Sequence, residues 1–158
     1  MTVCDNAAAF AQLLPERGSL LALDISKRRI GLAGTDQERR LATALATFER
    51  AGVVRDLDRL RLAVRDRRVV GLVVGLPLNM DDSEGPMAKA ARAEAKALAR
   101  GLALPVLLQD ERLSTFAVED AIAEGRLPRP RKGQAVDHYA AAIILADALR
   151  ALQARPTP

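Results

Sequence analysis

A chain of 158 residues, 49% of them hydrophobic, is long enough to form one domain around a real core. Its net charge of +4 and isoelectric point near 9.8 suit a polyanionic partner without identifying one. Aromatic residues are confined to Phe10, Phe48, Phe116 and Tyr139, so the core must be aliphatic and aromatic base-stacking platforms are not expected. Cys4 is the only cysteine, which excludes an intrachain disulfide and a thiolate metal cage. No basic segment leads an apolar core at the N-terminus, and the apolar runs at 69–78 and 140–149 are too short to span a bilayer. The expectation is a cytoplasmic protein with no membrane contact, organised as a single domain over 1–158.

In chain order, residues 1–18 read as a peripheral segment holding a short helix at 6–14, stopped by Pro15 and Gly18. The apolar run Leu20-Leu21-Ala22-Leu23 then ends in a carboxylate, Asp24. A basic turn, Lys27-Arg28-Arg29, leads to a second apolar run, Ile30-Gly31-Leu32-Ala33. This pattern predicts antiparallel strands at 19–25 and 29–35, with Asp24 where a buried strand emerges toward solvent. A third strand at 41–48, rich in Ala and Thr, belongs at a sheet edge.

Val53, Leu57, Leu60 and Val64 recur at helical spacing among charged residues and predict an amphipathic helix. The run Arg65-Asp66-Arg67-Arg68 reads as its solvated end, with a nucleic-acid contact as the sharper alternative. The continuous apolar run at 69–75 predicts a strand covered on both faces. Turn formers fill the next loop, 76–85, where Ser83 or Gly85 caps a helix with Pro86 in its first turn and Gly101 just past its end. That helix is expected to bury Met87, Ala91, Ala95, Leu98 and Leu102. Its other face carries a basic stripe, Lys89, Arg92, Lys96 and Arg100, either solvated or tracking a phosphate backbone.

A short strand at 105–109 ends in Asp110-Glu111, and a helix at about 114–123 follows. Residues 125–134, GRLPRPRKGQ, read as a mobile cationic loop, either a plain linker or a nucleic-acid contact through Arg129, Arg131 and Lys132. The last helix, at about 136–152, is apolar on almost every face and must be buried, so Asp137 at its start is conspicuous. Residues 154–158 are expected to be a disordered tail.

The element order β-β-β-α-β-α-β-α predicts an α/β fold. Its five-stranded mixed sheet has three antiparallel strands, then parallel strands alternating with helices that lie on its faces. Ligands of such sheets bind beyond the carboxyl ends of the parallel strands. Asp24 and Glu111 fall at carboxyl ends, and Asp137 can join them from a helix packed across that edge. Each also has a plain reading: strand terminator, surface acid, helix cap. Together, three oxygen ligands without His or Cys suit Mg²⁺ or Mn²⁺ and two-metal phosphodiester hydrolysis. His138, the only histidine, reads as a helix-surface residue or as a proton relay beside Asp137.

Four blocks carry a family resemblance. LALDISKRRIGLAGTD, VVGLPLNMDDSEGPMA, DERLSTFAVEDAI and VDHYAAAIILADAL resemble, in order and approximate spacing, the conserved segments of the YqgF family. Those are ribonuclease-H-like proteins regarded as pre-16S rRNA nucleases and described as Holliday-junction-resolvase-like. The resemblance implies a ribonuclease-H-like fold with Asp24, Glu111 and Asp137 as its catalytic, metal-binding acids. It further implies that Gly75, Pro77, Asn79, Glu84 and Gly85 shape a loop beside them, with Arg29 and Arg112 supporting the site or contacting phosphate. Ordinary salt bridging to Asp24 or Asp110 is the alternative for the two arginines.

Two departures stand out: Ser26-Lys27 replaces the family's Gly-Thr, and Asp82 replaces its loop glycine. Lys27 either serves a phosphate or competes with a second metal. The function implied is metal-dependent endonucleolytic cleavage, at the 5′ end of precursor 16S rRNA, of structured RNA held by basic surfaces. Its rivals are a dimeric Holliday junction resolvase acting on branched DNA, a non-catalytic RNA- or ribosome-binding factor, and an actin-like phosphate site for which the chain is too short.

Overall fold

The computed structural model describes residues 2–111, 123–124 and 137–153, with the backbone alone at 137 and 138. Among the described residues ten elements follow one another: β1 (Val3–Cys4), α1 (Ala7–Gln12), β2 (Ser19–Ile25), β3 (Arg29–Thr35), β4 (Ala42–Glu49), α2 (Val53–Arg67), β5 (Val69–Leu76), α3 (Pro86–Leu102), β6 (Val106–Asp110) and α4 (Asp137–Gln153). The strands form one sheet in the order β1-β6-β5-β2-β3-β4. The β2–β3 and β3–β4 pairs are antiparallel; β2–β5, β5–β6 and β1–β6 are parallel. No helix among the described residues is long and apolar enough to cross a membrane.

The period-two alternation of a strand explains how this sheet is covered on both faces. Leu21 and Leu23 of β2, with Leu72 and Val74 of β5, pack with Leu60 of α2 and Ala91, Ala95 and Leu98 of α3. Their neighbours Leu20, Ala22 and Val73 pack instead with Phe10 of α1 and Ala141, Ile144 and Leu145 of α4. Because β2 and β5 lie inside the sheet, both side-chain sets are buried, and the sequence reads as an unbroken apolar run. Helix α4 is apolar nearly all round for the same reason: residues 139–145 are all buried.

The structure corrects several expectations. The sheet has a sixth strand, β1, and residues 1–18 are not wholly peripheral: Cys4 is buried and Phe10 is fully enclosed. In α3 the buried residues are Ala88, Ala91, Ala95, Leu98 and Ala99, while Met87 is 60% exposed. In α2, Leu60 is buried but Val53 projects into solvent from the first turn. Gly85 precedes α3 at the cap position, with no side-chain cap hydrogen bond and Pro86 at the first helical position. The predicted helix at 114–123, the loop at 125–134 and the tail at 154–158 lie outside the described residues, apart from Ala123.

Gly101 does not follow α3 but lies inside it, where Leu57 of α2 packs close, its nearest methyl 3.0 Å from where a β-carbon would stand. The left-handed cap residue is Ala103, at φ 55. A side chain costs about 1 kcal/mol or more in that conformation. Ala103→Gly is therefore expected to stabilise the fold by about 1 kcal/mol and to raise the melting temperature by roughly 2–4 °C.

Candidate active site

Asp24 lies one residue beyond the Leu23–Val74 pair, at the carboxyl end of β2. Strand alternation turns it to the face of Leu20 and Ala22, under α4. Its neighbour across the sheet edge is Gly75 in β5, which pairs with Gln109 of β6. Glu111 follows β6 directly, and its backbone N–H donates to the Leu76 carbonyl at 3.2 Å, which extends the ladder by one step. The Glu111 side chain lies over Gly75: a β-carbon there would overlap its Oε2 and come within 2.8 Å of its Cδ and of Ile144 Cδ1. Only glycine leaves room for the carboxyl and the helix together.

The Glu111 carboxyl is hydrogen-bonded to that of Asp24. Burial first, then the Asp24 charge, then that shared hydrogen bond and the nearby Asp110 charge, push the Glu111 pKa up to about 8. The raised value means that Glu111 holds a proton at neutral pH, which a bound cation would have to displace. The donor set is hard oxygen from carboxylates, which fits Mg²⁺ or Mn²⁺ and not a thiolate- or imidazole-seeking metal. Among the described residues no group of three or more His, Cys, Asp or Glu forms a metal site, so the described part of this one is the Asp24–Glu111 pair.

Asp137 opens α4. It precedes Ile144 by seven residues, two helical turns, and so shares a helical face with the residue that packs at Gly75. Toward its other end α4 places Leu149 and Leu152 beside Leu14 and Pro15, at the opposite pole of the sheet. Helix α4 thus begins at the edge that carries Asp24 and Glu111. The side chains of Asp137 and His138 lie outside the described set, as do Arg112, Arg129, Arg131 and Lys132.

The turn after Asp24 is closed without glycine. Ser26 N–H donates to the Arg29 carbonyl at 2.9 Å, and the Ser26 hydroxyl lies 3.1 Å from both the N–H and the carbonyl of Arg29. No positive φ occurs at Ser26 or Lys27, so the replacement of Gly-Thr leaves the turn unstrained. Lys27, Arg28 and Arg29 are exposed around it. Arg50, which no sequence motif singled out, anchors this turn. Its Nη1 donates to the Ser26 carbonyl at 3.0 Å, its N–H to the Arg28 carbonyl at 2.8 Å, and its Nη2 pairs with Glu94 of α3 at 2.8 Å.

The loop between β5 and α3 is held internally. Asn79 N–H donates to the Ser83 carbonyl, its amide to the Ser83 hydroxyl at 3.0 Å, and that hydroxyl to Asp81 at 2.5 Å. The Asn79 side chain also packs on Gly85, so Asn79 organises the loop from within. Asp82 stands at φ 70, which accounts for a glycine at the equivalent place in the resembling loop; aspartate tolerates that region better than most residues. Arg92 grips Glu84 through two 3.0 Å bonds and Asp5 through a third, so this member of the expected basic stripe is committed to holding the loop. Those bonds keep the Glu84 carboxyl below its usual range. The sequence offered no signal for this pairing, since Asp5 lies 87 residues away.

Known proteins resemble this chain in sequence and in fold. The family model described as "RuvX: Holliday junction resolvase" matches residues 18–151. A "Putative pre-16S rRNA nuclease" of Paracoccus denitrificans (strain Pd 1222) is 43% identical over 151 residues, 96% of each chain. One of Bradyrhizobium sp. (strain BTAi1 / ATCC BAA-1182) is 47% identical over 135 residues, 85% of this chain and 84% of that one. Among solved structures, T. thermophilus RuvC in complex with Holliday junction substrate superposes with a TM-score of 0.53 at 15% identity, over 84% of this chain and 95% of that one. That likeness shows the fold, which is ribonuclease-H-like. By family match, by relatives across nearly its whole length and by fold, the chain belongs to the RuvX family of ribonuclease-H-like nucleases, as its YqgF-like blocks imply.

Proposed function

We propose that the protein is a Mg²⁺- or Mn²⁺-dependent endonuclease that acts in the cytoplasm on structured RNA, maturing the 5′ end of precursor 16S rRNA. The observation that carries this reading is the Asp24–Glu111 carboxyl pair, hydrogen-bonded together with Glu111 over Gly75 at the carboxyl edge of the sheet. Asp24 and Glu111, with Asp137 from the first turn of α4, would hold the ions. A bound ion of this class polarises the phosphoryl group and lowers the pKa of the attacking water. The chain's own contribution is geometric and electrostatic. Gly75 seats the Glu111 carboxyl, and Ser26 and Arg50 fix the turn that follows Asp24. Lys27 and Arg29 bring positive charge to the phosphate. Arg112, Arg129, Arg131 and Lys132 extend that charge along the strand, and Asn79 keeps the neighbouring loop in shape. The names of the curated relatives support precursor 16S rRNA as the substrate.

Calorimetry with Mn²⁺ and cleavage of a precursor 16S rRNA fragment test the reading together. Asp24→Asn is expected to lose the heat of Mn²⁺ binding and to cut roughly a thousandfold more slowly. Cleavage undiminished in that variant would overturn the assignment, and RNA binding with neither metal uptake nor cleavage would make the protein a non-catalytic ribosome-binding factor. The description of the matching family model favours a second reading, resolution of branched DNA junctions. Resolution needs two active sites on opposed strands, so cleavage of junctions by a sedimenting dimer would support it, and a monomer under all conditions would not.

A further inference from the structure

On the opposite face of the sheet from Asp24, one residue further along β2, Ile25 forms the floor of a recess of about 230 Å³. Its flanks are apolar: Pro77 from the loop after β5, with Met87 and Ala90 from the exposed side of α3. One wall is polar, formed by Arg50 and Glu94, whose guanidinium and carboxylate lie 2.8 Å apart. Ser26 and Lys27 line the mouth, with exposed Arg28 and Arg29 next to them.

We propose, resting on the nuclease reading above, that this recess receives one unpaired base of the substrate strand. A heterocyclic base has apolar faces and a polar edge, the pattern that the flanks and the Arg50–Glu94 wall present. A phosphate alone would leave the apolar flanks uncovered, and an aliphatic side chain would cover the flanks without engaging the charged Arg50–Glu94 pair. The cations at the mouth match a polyanionic strand and not a neutral partner. Asp24 and Ile25 are consecutive and point to opposite faces. A strand crossing the carboxyl edge therefore meets the acids on one face and the recess on the other within a nucleotide's reach. The recess admits a base only when that base is unstacked and unpaired, so the substrate at this point is single-stranded or splayed.

The test reads binding, not turnover, with Ca²⁺ in place of Mg²⁺. The probe is a set of fluorescent RNA single strands of one sequence, each with one abasic nucleotide at a different position. One abasic position is expected to weaken binding about tenfold. Ala90→Leu fills the recess from an exposed helix position. It should weaken the intact strand by the same factor while leaving that abasic strand unchanged. Leu62→Glu, on the outer side of α2, should alter neither strand. Equal binding of every abasic strand, or equal weakening of intact and abasic strands by Ala90→Leu, would overturn the proposal. Failure of the nuclease reading shows separately, as a parent protein that binds these strands but cuts no RNA with Mn²⁺.

Discussion

Glu111→Gln is expected to abolish metal-dependent cleavage while making the metal-free protein more stable at alkaline pH. The sign follows from the folded-state pKa, which lies at about 8 against an ordinary 4.5. Between those values the folded protein holds a proton that the unfolded chain releases, so stability falls as pH rises from about 4.5 to about 8 and levels off above. The whole shift would correspond to roughly 5 kcal/mol. Solvent reaching a half-buried carboxyl reduces that to about 2 kcal/mol. Glutamine keeps the shape and never ionises. At pH 9 the variant should therefore melt roughly 4–8 °C above the parent, and at pH 4.5 the two should coincide.

Metal reverses the order. Mn²⁺ at a hundredfold excess over its Kd stabilises the parent by about 2.7 kcal/mol, and the variant gains little. Below pH 8 the ion must displace the Glu111 proton, so parental Mn²⁺ affinity should drop about tenfold per pH unit. Thermal scans across pH, with and without Mn²⁺, check all of this. A Glu111→Gln variant less stable than the parent at pH 9 without metal would mean that the two carboxyl groups do not repel.

The acids were legible because strand ends are legible. Strands β2 and β3 fall where apolar runs and a basic turn put them, and β6 falls within one residue of its apolar run, so that Asp24 stands at the end of β2 and Glu111 just past β6. What escaped depends on long-range packing. Strand β1 is two residues long and exists through its pairing with β6, about a hundred positions away, so no local period announces it. In α3 the alanines are small on every side, and nothing in the pattern decides between Met87 and Ala88 until the sheet is in place. The grips of Arg50 on the turn and Arg92 on the loop are likewise invisible, because arginines look alike in a sequence until their partners arrive. Gly75 lies between these cases. A glycine inside a buried strand signals close approach, but only the fold supplies what approaches, the Glu111 carboxyl.

That approach makes Gly75→Ala the second large expected effect. The added methyl overlaps Glu111 Oε2 and meets Ile144 Cδ1 at 2.8 Å, so either the carboxyl swings off Asp24 or α4 lifts. The carboxyl is the softer of the two, since side-chain rotation costs less than moving a buried helix. Displacing a metal-binding oxygen by about 1 Å lowers turnover on the order of a hundredfold, and the residual crowding at Ile144 costs about 1–3 kcal/mol of stability. A double-mutant cycle separates the two contacts. Glu111→Ala removes the Cδ and both carboxylate oxygens and keeps the Ile144 contact against the new methyl. If the Glu111 contact carries the effect, Gly75→Ala should cost at least about 1 kcal/mol less in the Glu111→Ala background than in the parent. Equal costs in both backgrounds would locate the crowding at α4 and detach Gly75 from the acid pair. Mn²⁺ affinity distinguishes the same alternatives in the single variant: a helix-only clash lowers the melting temperature and spares Mn²⁺ affinity, whereas a displaced Glu111 lowers both.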